Sequence, residues 1–255
     1  FETMRLVRHT ILRRDAHLTR LEQGLSRLGI PVPAELRTWL DRAVAGWSFA
    51  DGRVRLTVTR GPGPAGVLPP EATIPTVVLQ IGDTPVVSAE TYSKGLTARI
   101  ASGRRNERAF GSGIKTIGYT EAILALQEAR AQGADEAIFL DTSGHVAEAT
   151  ASNLFVMLGG RLRTPPASCG ILPGVTRDAV MEIAGLIGLP TDQTPFGTAE
   201  LMSADEAFFT SSLRGLAPLV EVDGRKIGAG APGSVTRELM LRYDALVERE
   251  CGPAR

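Results

Sequence analysis

Hydrophobic residues in the first part of the chain follow the spacing of strands and helices in turn. A hairpin is predicted over residues 1–7 and 10–12, and a helix that Asp15 would cap follows it. A second helix is predicted over residues 33–45. Residues 54–59 alternate hydrophobic with polar positions, which predicts a half-buried strand. The residues predicted to share the buried face of the first helix are Leu18, Leu21, Leu25 and Leu28.

Residue 84 begins a longer stretch with many short hydrophobic segments. A strand is predicted at 76–81, and the turn-forming residues after it place a domain junction there, giving domains 1–83 and 84–255. A helix is predicted from Tyr119 to Gly133, with others after residue 174 and from residue 234. The predicted buried face of the helix that starts at Tyr119 consists of Tyr119, Ala122, Ile123, Leu126 and Ala129. The further predicted strands are 97–101, 137–140, 145–148, 153–157, 161–164, 207–210 and 216–222.

Composition narrows the class of protein. The 255 residues are 43% hydrophobic with a mean hydropathy of +0.03, which is typical of a chain that buries a large core. Lys plus Arg and Asp plus Glu balance at 28 each, so no net field would attract nucleic acid or an anionic membrane. No hydrophobic run reaches the about 20 residues of a membrane span, and no signal-peptide pattern is present. We therefore expect a cytoplasmic protein.

Neither a glycine-rich segment after residue 60 nor the two cysteines have the sequence context of a binding site. Gly61 to Gly66 matches GxGxxG after a strand, but Pro62 and Pro64 fill variable positions and residues 67–70 cannot open a helix. This stretch is therefore predicted to be a turn-rich loop and not a nicotinamide site. The two cysteines lack CxxC or Cys/His spacing, so we expect free thiols and no metal site.

Lys115 is the first candidate for chemistry. It lies between Ile114 and Ile117, after a strand-like approach and before the helix predicted to open at Tyr119. An ammonium that points inward costs free energy unless it is neutralised, paired or used covalently. The alternative is an ordinary solvated lysine, since most lysines keep the charged head in water.

Glu148 is the second candidate. It ends a predicted strand among small and hydrophobic residues that offer no basic neighbour in sequence, so its carboxylate requires a cation from elsewhere. The charged run 104–108 is predicted to be a solvated loop. A lysine, a carboxylate and a phosphate cradle are the contacts that pyridoxal phosphate needs from its protein.

Three segments could supply the phosphate cradle. Val175 and Thr176 open a predicted helix, whose backbone N–H groups and dipole suit a phosphate, although Thr176 could instead be an N-cap. The hydroxyls of residues 210–212 at a strand end could bind the same anion or belong to an ordinary polar loop. Arg20, on the polar side of the first helix, could hold a phosphate in bidentate fashion or be solvated.

With these residues the chain resembles the class IV aminotransferases and lyases, the fold type IV pyridoxal phosphate enzymes, and most closely the 4-amino-4-deoxychorismate lyase branch. The resemblance extends over nearly the whole chain. The stretches that carry it are Phe1-Glu2-Thr3, His17-Leu18-Thr19-Arg20-Leu21, Ile114-Lys115-Thr116, Glu148 through Ser152-Asn153-Leu154-Phe155, Gly174-Val175-Thr176-Arg177, and Asp205-Glu206 leading to Thr210-Ser211-Ser212.

The resemblance implies roles for individual residues. Lys115 would form the covalent bond to pyridoxal 5'-phosphate and move the proton, and Glu148 would pair with the pyridine nitrogen. The other implied cofactor contacts are Arg20, Tyr119, Asn153, Val175, Thr176 and Ser212, with Arg20, Val175, Thr176 and Ser212 at the phosphate. The implied contacts to an amino-acid-like substrate are Ser211 and Arg214. The family implies no metal.

The resemblance also implies an architecture. We expect an α/β (α+β) protein with a small N-terminal α/β domain and a larger C-terminal domain built on an antiparallel-rich, barrel-like sheet. The cofactor would lie between the domains, and the protein would be a homodimer. Chains of this family normally begin earlier, so we expect the first strands of the small domain to be missing.

Within the family two reactions are open. The loop at 59–63 and the turn Ser212-Leu213-Arg214-Gly215 look more like the lyase that converts 4-amino-4-deoxychorismate to 4-aminobenzoate and pyruvate, a step toward folate. The arginine-x-histidine carboxylate trap of D-alanine transaminases is absent from residues 61–70. A transaminase for D-amino or branched-chain amino acids is the alternative.

Overall fold

The computed structural model describes residues 1–252. Contacts between Cα atoms divide the chain into two compact units, Phe1–Pro85 with the segment from Val247 onward, and Val86–Leu246. The domains predicted from the sequence, 1–83 and 84–255, stay a prediction, because this division does not test which segments fold independently. None of the helices in the described part of the chain is long and hydrophobic enough to cross a membrane.

The N-terminal unit is a four-stranded antiparallel sheet with two helices. The strands lie in the order β2-β1-β3-β4. The leucines of the first helix contact the hydrophobic face of this sheet in one core, which includes Met4, Leu6, Leu18, Leu21, Leu25, Leu36, Leu40, Val54 and Leu56. The elements are β1 Glu2–Val7, β2 Thr10–Ile11, α1 Arg14–Arg27, α2 Leu36–Ala45, β3 Gly52–Thr59 and β4 Thr76–Gly82. The predicted hairpin, helices and strands are thus confirmed.

The start of α1 corrects one prediction. Asp15 does not cap the helix: the N-cap residue is Arg13, in the left-handed conformation at φ 53°, and it makes no side-chain capping bond. Asp15 lies in the first turn and accepts a hydrogen bond from Arg37 at 2.9 Å. Leu28, predicted on the buried face, follows the helix end and is 40% exposed.

The second unit is built on a nine-stranded mixed sheet. Eight strands follow the order β10-β9-β8-β11-β12-β5-β6-β7, and β13 pairs with β12. The pairs β12/β5, β5/β6 and β10/β9 are parallel and the others are antiparallel. The strands are β5 Leu96–Arg105, β6 Glu136–Asp141, β7 Val146–Ala149, β8 Asn153–Leu158, β9 Arg161–Arg163, β10 Thr191–Asp192, β11 Glu206–Ser211, β12 Gly215–Val222 and β13 Arg225–Lys226.

Five further helices follow β4 along the chain, and the last of them ends in the segment from Val247 that belongs to the first unit. They are α3 Ala89–Ser93, α4 Thr120–Ala131, α5 Val175–Leu186, α6 Thr198–Met202 and α7 Ser234–Cys251, with a 3-10 turn at Ala167–Cys169. Two predictions fail here. Ile123 is 53% exposed, because α4 buries Ala122, Ala125 and Ala129 instead. Arg104 and Arg105 are not part of a solvated loop, since β5 continues through them.

A buried carboxylate lies in the N-terminal unit. Glu2 has no exposed side-chain surface, and it accepts bonds from Arg20 at 2.9 and 2.6 Å and lies 2.8 Å from His17 Nδ1. Burial by itself would raise the pKa of Glu2. The hydrogen bonds and charges of His17 and Arg20 outweigh burial and lower that pKa to about 2.

We expect Glu2→Gln to destabilise this unit in a pH-dependent way. A carboxyl pKa lowered from 4.5 to about 2 contributes about 3 kcal/mol at neutral pH. That contribution is present above pH 4.5 and is lost as the pH falls toward 2. Urea unfolding followed by the fluorescence of Trp39 and Trp47, the two tryptophans of the chain, measures it. The exposed Glu35→Gln is the control; equal unfolding of both variants at pH 7 would contradict the prediction.

Candidate active site

The chain contains three lysines, and their environments differ. Lys94 is 73% exposed and donates to Glu90 at 2.7 Å, a contact that raises the pKa of Lys94 and keeps it a charged ammonium. Lys226 is exposed on the short strand β13. Lys115 is partly buried. Of the three, Lys115 has the environment best suited to covalent chemistry, which needs an amine shielded from water.

Lys115 lies in irregular structure and not beside a strand: residues 107–113 form turns and a bend, and residues 114–116 have no regular secondary structure. Its Nζ donates to the Tyr119 hydroxyl at 3.1 Å and lies 5.8 Å from the centre of that ring. Tyr119 is the residue immediately before α4, so the start of this helix positions its backbone. The structure thus brings together two predicted site residues and gives the amine a neighbour that can exchange a proton.

Glu148, on β7, is buried with 8% of its surface exposed. Its Oε2 accepts the Leu172 backbone N–H at 2.9 Å and the Asn153 amide at 3.3 Å. Its Oε1 lies 3.0 Å from Arg105 Nη2. A carboxylate held by these donors keeps a fixed position and stays compatible with a bound cation.

Arg105 is a neighbour of Glu148 that was not predicted from the sequence. No residue near Glu148 in sequence is a basic partner for it, and the structure supplies one from β5, two strands away in the sheet. The guanidinium also lies 4.8 Å from the centre of the Phe139 ring. The alternation of hydrophobic and polar residues over 97–101 predicted a strand but not its length. A predicted strand extended to residue 105 would have placed Arg105 in the sheet.

Asn153 links Glu148 to the start of α5. Its amide also donates to the Leu172 carbonyl at 2.9 Å. A Cβ added to Gly174 would lie 1.9 Å from Asn153 Oδ1, so only glycine permits this approach. Gly174 is the N-cap of α5, and Thr176 in its first turn is therefore not the N-cap. Val175 and Thr176 are both buried.

The end of β11 runs beside the same region. Thr210 pairs with Asn153 across β11 and β8, and Ser211 and Ser212 follow it directly. Within residues 1–252, the buried hydroxyls of Thr210 and Ser152 have no hydrogen-bond partner. Buried polar atoms usually have a hydrogen-bond partner. The unpaired hydroxyls beside Asn153 therefore fit a site where a polar group binds.

Arg214 and Arg20 are the remaining predicted site residues. Arg214 is partly buried in the turn after Ser212, and its carbonyl accepts the Tyr92 hydroxyl at 2.9 Å. Arg20 belongs to the N-terminal unit, where it binds Glu2. Its assignment to the phosphate stays a prediction.

Cys169 and Cys251 are free thiols, as predicted, and burial with the nearby Asp141 raises the pKa of Cys169 to about 12.

The family model for class IV aminotransferases matches residues 1–222. The chain belongs to this family. It is 30% identical over 246 residues to a Methanocaldococcus jannaschii protein provisionally named a branched-chain-amino-acid aminotransferase, covering 95% of this chain and 85% of that one. It is 31% identical to the D-alanine aminotransferase of Bacillus licheniformis, covering 94% of this chain and 84% of that one.

Solved structures share the fold. The crystal structure of 4-amino-4-deoxychorismate lyase from Pseudomonas aeruginosa superposes with a TM-score of 0.87 at 30% identity, covering 98% of this chain and 90% of that one. The expected fold class is therefore confirmed, and the chain is a pyridoxal-phosphate-dependent enzyme.

The residues described above fit this cofactor. When bound, pyridoxal phosphate supplies a ring that accepts electrons from the substrate. The buried carboxylate of Glu148 suits a protonated ring nitrogen, and the start of α5 offers backbone N–H groups suited to a phosphate. Lys115 Nζ, next to the Tyr119 hydroxyl, is suited to hold and move a proton. Which of these residues contact the cofactor is a proposal.

We expect Arg105→Met to destabilise the cofactor-free protein by about 2 kcal/mol, because it removes a charged partner from the buried Glu148. The neighbouring Arg104 is exposed on the same strand, and Arg104→Met should change stability by less than about 0.5 kcal/mol. Urea unfolding followed by circular dichroism compares the two. Equal stability of the two variants would show that the Arg105–Glu148 pair contributes nothing.

Proposed function

We propose that the chain is a 4-amino-4-deoxychorismate lyase that forms 4-aminobenzoate and pyruvate. The observation that carries the proposal is Arg214. Arg214 is partly buried, two residues after Ser212 at the end of β11, and no hydrogen bond or ion pair to its guanidinium is found within the described residues. A guanidinium with no protein partner suits a carboxylate of the substrate, and aminodeoxychorismate has two.

The other site residues would divide the chemistry. Lys115 would bind the cofactor and then take a proton from the substrate carbon that carries the amine, with the Tyr119 hydroxyl 3.1 Å from Nζ as its partner in proton exchange. Glu148 would keep the pyridine nitrogen protonated. The phosphate would be held at Val175, Thr176 and Ser212. Ser211 would contact the substrate.

A transaminase is the second candidate. Two relatives of this chain are named as aminotransferases, one for branched-chain amino acids and one for D-alanine. Transamination needs the same lysine and carboxylate, and it differs in that the proton returns to the cofactor and no carbon–oxygen bond of the substrate breaks. The residues described here serve either reaction.

A product assay decides between the two. We expect the purified enzyme to release 4-aminobenzoate and pyruvate from aminodeoxychorismate, and Arg214→Met to raise KM about tenfold or more, because the variant loses a charged hydrogen bond to substrate. Arg225→Met, on the exposed strand β13, is the control. Ketone products from D-alanine or leucine with 2-oxoglutarate, and no 4-aminobenzoate, would reject the lyase in favour of the transaminase.

We also propose that the protein is a homodimer. Four large hydrophobic side chains between residues 110 and 124 are exposed: Phe110 at 101%, Ile117 at 66%, Ile123 at 53% and Leu124 at 60%. They flank Lys115 in sequence. A group of this kind on an isolated chain is typical of a surface that a second protein covers, and a second copy of the same chain is the commonest partner.

We expect Phe110→Asp to convert a dimer into a monomer, because a charge within the interface would have to be desolvated on association. Size-exclusion chromatography with light scattering measures the mass. Leu186→Asp is the matched control, as Leu186 is 78% exposed at the end of α5 and outside this group. A monomeric wild type, or a dimeric Phe110→Asp, would contradict the assignment of this surface.

A further inference from the structure

Three side chains of different chemistry meet outside the residues assigned to the cofactor. Asp141 ends β6, His145 follows in the turn before β7, and Cys169 is the last residue of the 3-10 turn. Each offers one ligand atom, and these atoms lie within 4.8 Å of one another. We propose that Asp141, His145 and Cys169 bind a zinc ion.

The ligand set indicates which metal. Carboxylate oxygen, imidazole nitrogen and thiolate sulfur together are a combination that Zn²⁺ accepts, whereas Mg²⁺ and Ca²⁺ prefer oxygen alone. In a tetrahedral zinc site the ligand atoms are about 3.5 Å apart. His145 Nδ1 is already 3.1 Å from Asp141 Oδ2. The cluster therefore needs to contract by about 1 Å, which side-chain rotation can supply.

The burial of the three ligands fits a site with one open position. Asp141 and Cys169 are buried at 3% and 1% exposure, while the His145 side chain is 43% exposed. An ion can therefore enter past the imidazole, and water can occupy the fourth coordination position. The more exposed imidazole has the most freedom to rotate toward the ion.

The ordinary role of Asp141 explains only part of this arrangement. Its Oδ1 closes the turn by accepting the backbone N–H groups of Ser143 and His145 at 2.9 and 2.8 Å. Turn closure does not require an imidazole at Oδ2, nor a buried thiol within 4.8 Å of the same carboxylate. The zinc site accounts for all three side chains together.

The site would connect to the catalytic residues through the backbone. Cys169 lies three residues before Leu172, whose N–H binds Glu148. A Cβ on the intervening Gly170 would lie 2.8 Å from the Cα of Glu107 and 3.1 Å from Arg105 Cγ, so this segment packs tightly against the end of β5. A zinc ion at Cys169 would fix the segment that positions Glu148, whichever reaction the enzyme performs.

Zinc binding to the holoenzyme tests the proposal. After treatment with a chelator, the protein with its pyridoxal phosphate is dialysed against Zn²⁺ and the bound metal is measured. We expect one equivalent per chain, with at least tenfold weaker binding in His145→Gln and Cys169→Ser. The controls His9→Gln and Cys251→Ser, an exposed imidazole and a second buried thiol, should bind as wild type.

Spectroscopy identifies the ligands independently of activity. Co²⁺ in place of Zn²⁺ should give a thiolate-to-cobalt charge-transfer band in the difference spectrum against the zinc form, which cancels the cofactor absorption. If Cys169→Ser does not fold, His145→Gln decides, because its position is partly exposed. Zinc binding unchanged in His145→Gln, or no stoichiometric binding to wild type, would overturn the proposal.

Discussion

The candidate site in the second unit depends on the burial of one carboxylate, that of Glu148. Removing a charge from water is costly unless nearby groups compensate for it. Donors from three separate segments surround Glu148: the Arg105 guanidinium from β5, the Leu172 N–H from the stretch before α5, and the Asn153 amide from β8. Each donor is held by a different part of the fold, so the carboxylate has a fixed position only when the sheet and the start of α5 are assembled.

The sheet order makes the ion pair possible. Arg105 is paired with Asp141 across β5 and β6, and β6 is followed by β7, which carries Glu148. Two strand spacings are about 9.5 Å, a distance that an arginine and a glutamate side chain can bridge together. The N-terminal unit repeats the principle, since Glu2 is fully buried against Arg20 and His17. In each unit an arginine compensates a buried glutamate.

Sequence periodicity identified most elements and the chemistry-bearing residues, since strand alternation and helix faces are local properties. It missed what depends on distant segments. Nothing near Glu148 in sequence points to Arg105, 43 positions earlier, and the exposed Ile123 follows the helical pattern of a buried residue. Asp15 is a residue type that favours the N-cap position, but the N-cap is Arg13, in the left-handed conformation, so the helix starts two residues earlier than predicted. Family resemblance supplied roles that spacing alone left open.

We propose that the partly buried Lys115 bonds covalently to pyridoxal phosphate while the exposed Lys94 and Lys226 do not. Borohydride reduction of the holoenzyme fixes the cofactor to its lysine, and peptide mass spectrometry locates it. With only three lysines in the chain, the assignment is unambiguous. We expect the pyridoxyl label on the peptide that contains Lys115. A label on Lys94 or Lys226, with Lys115 unmodified, would contradict it.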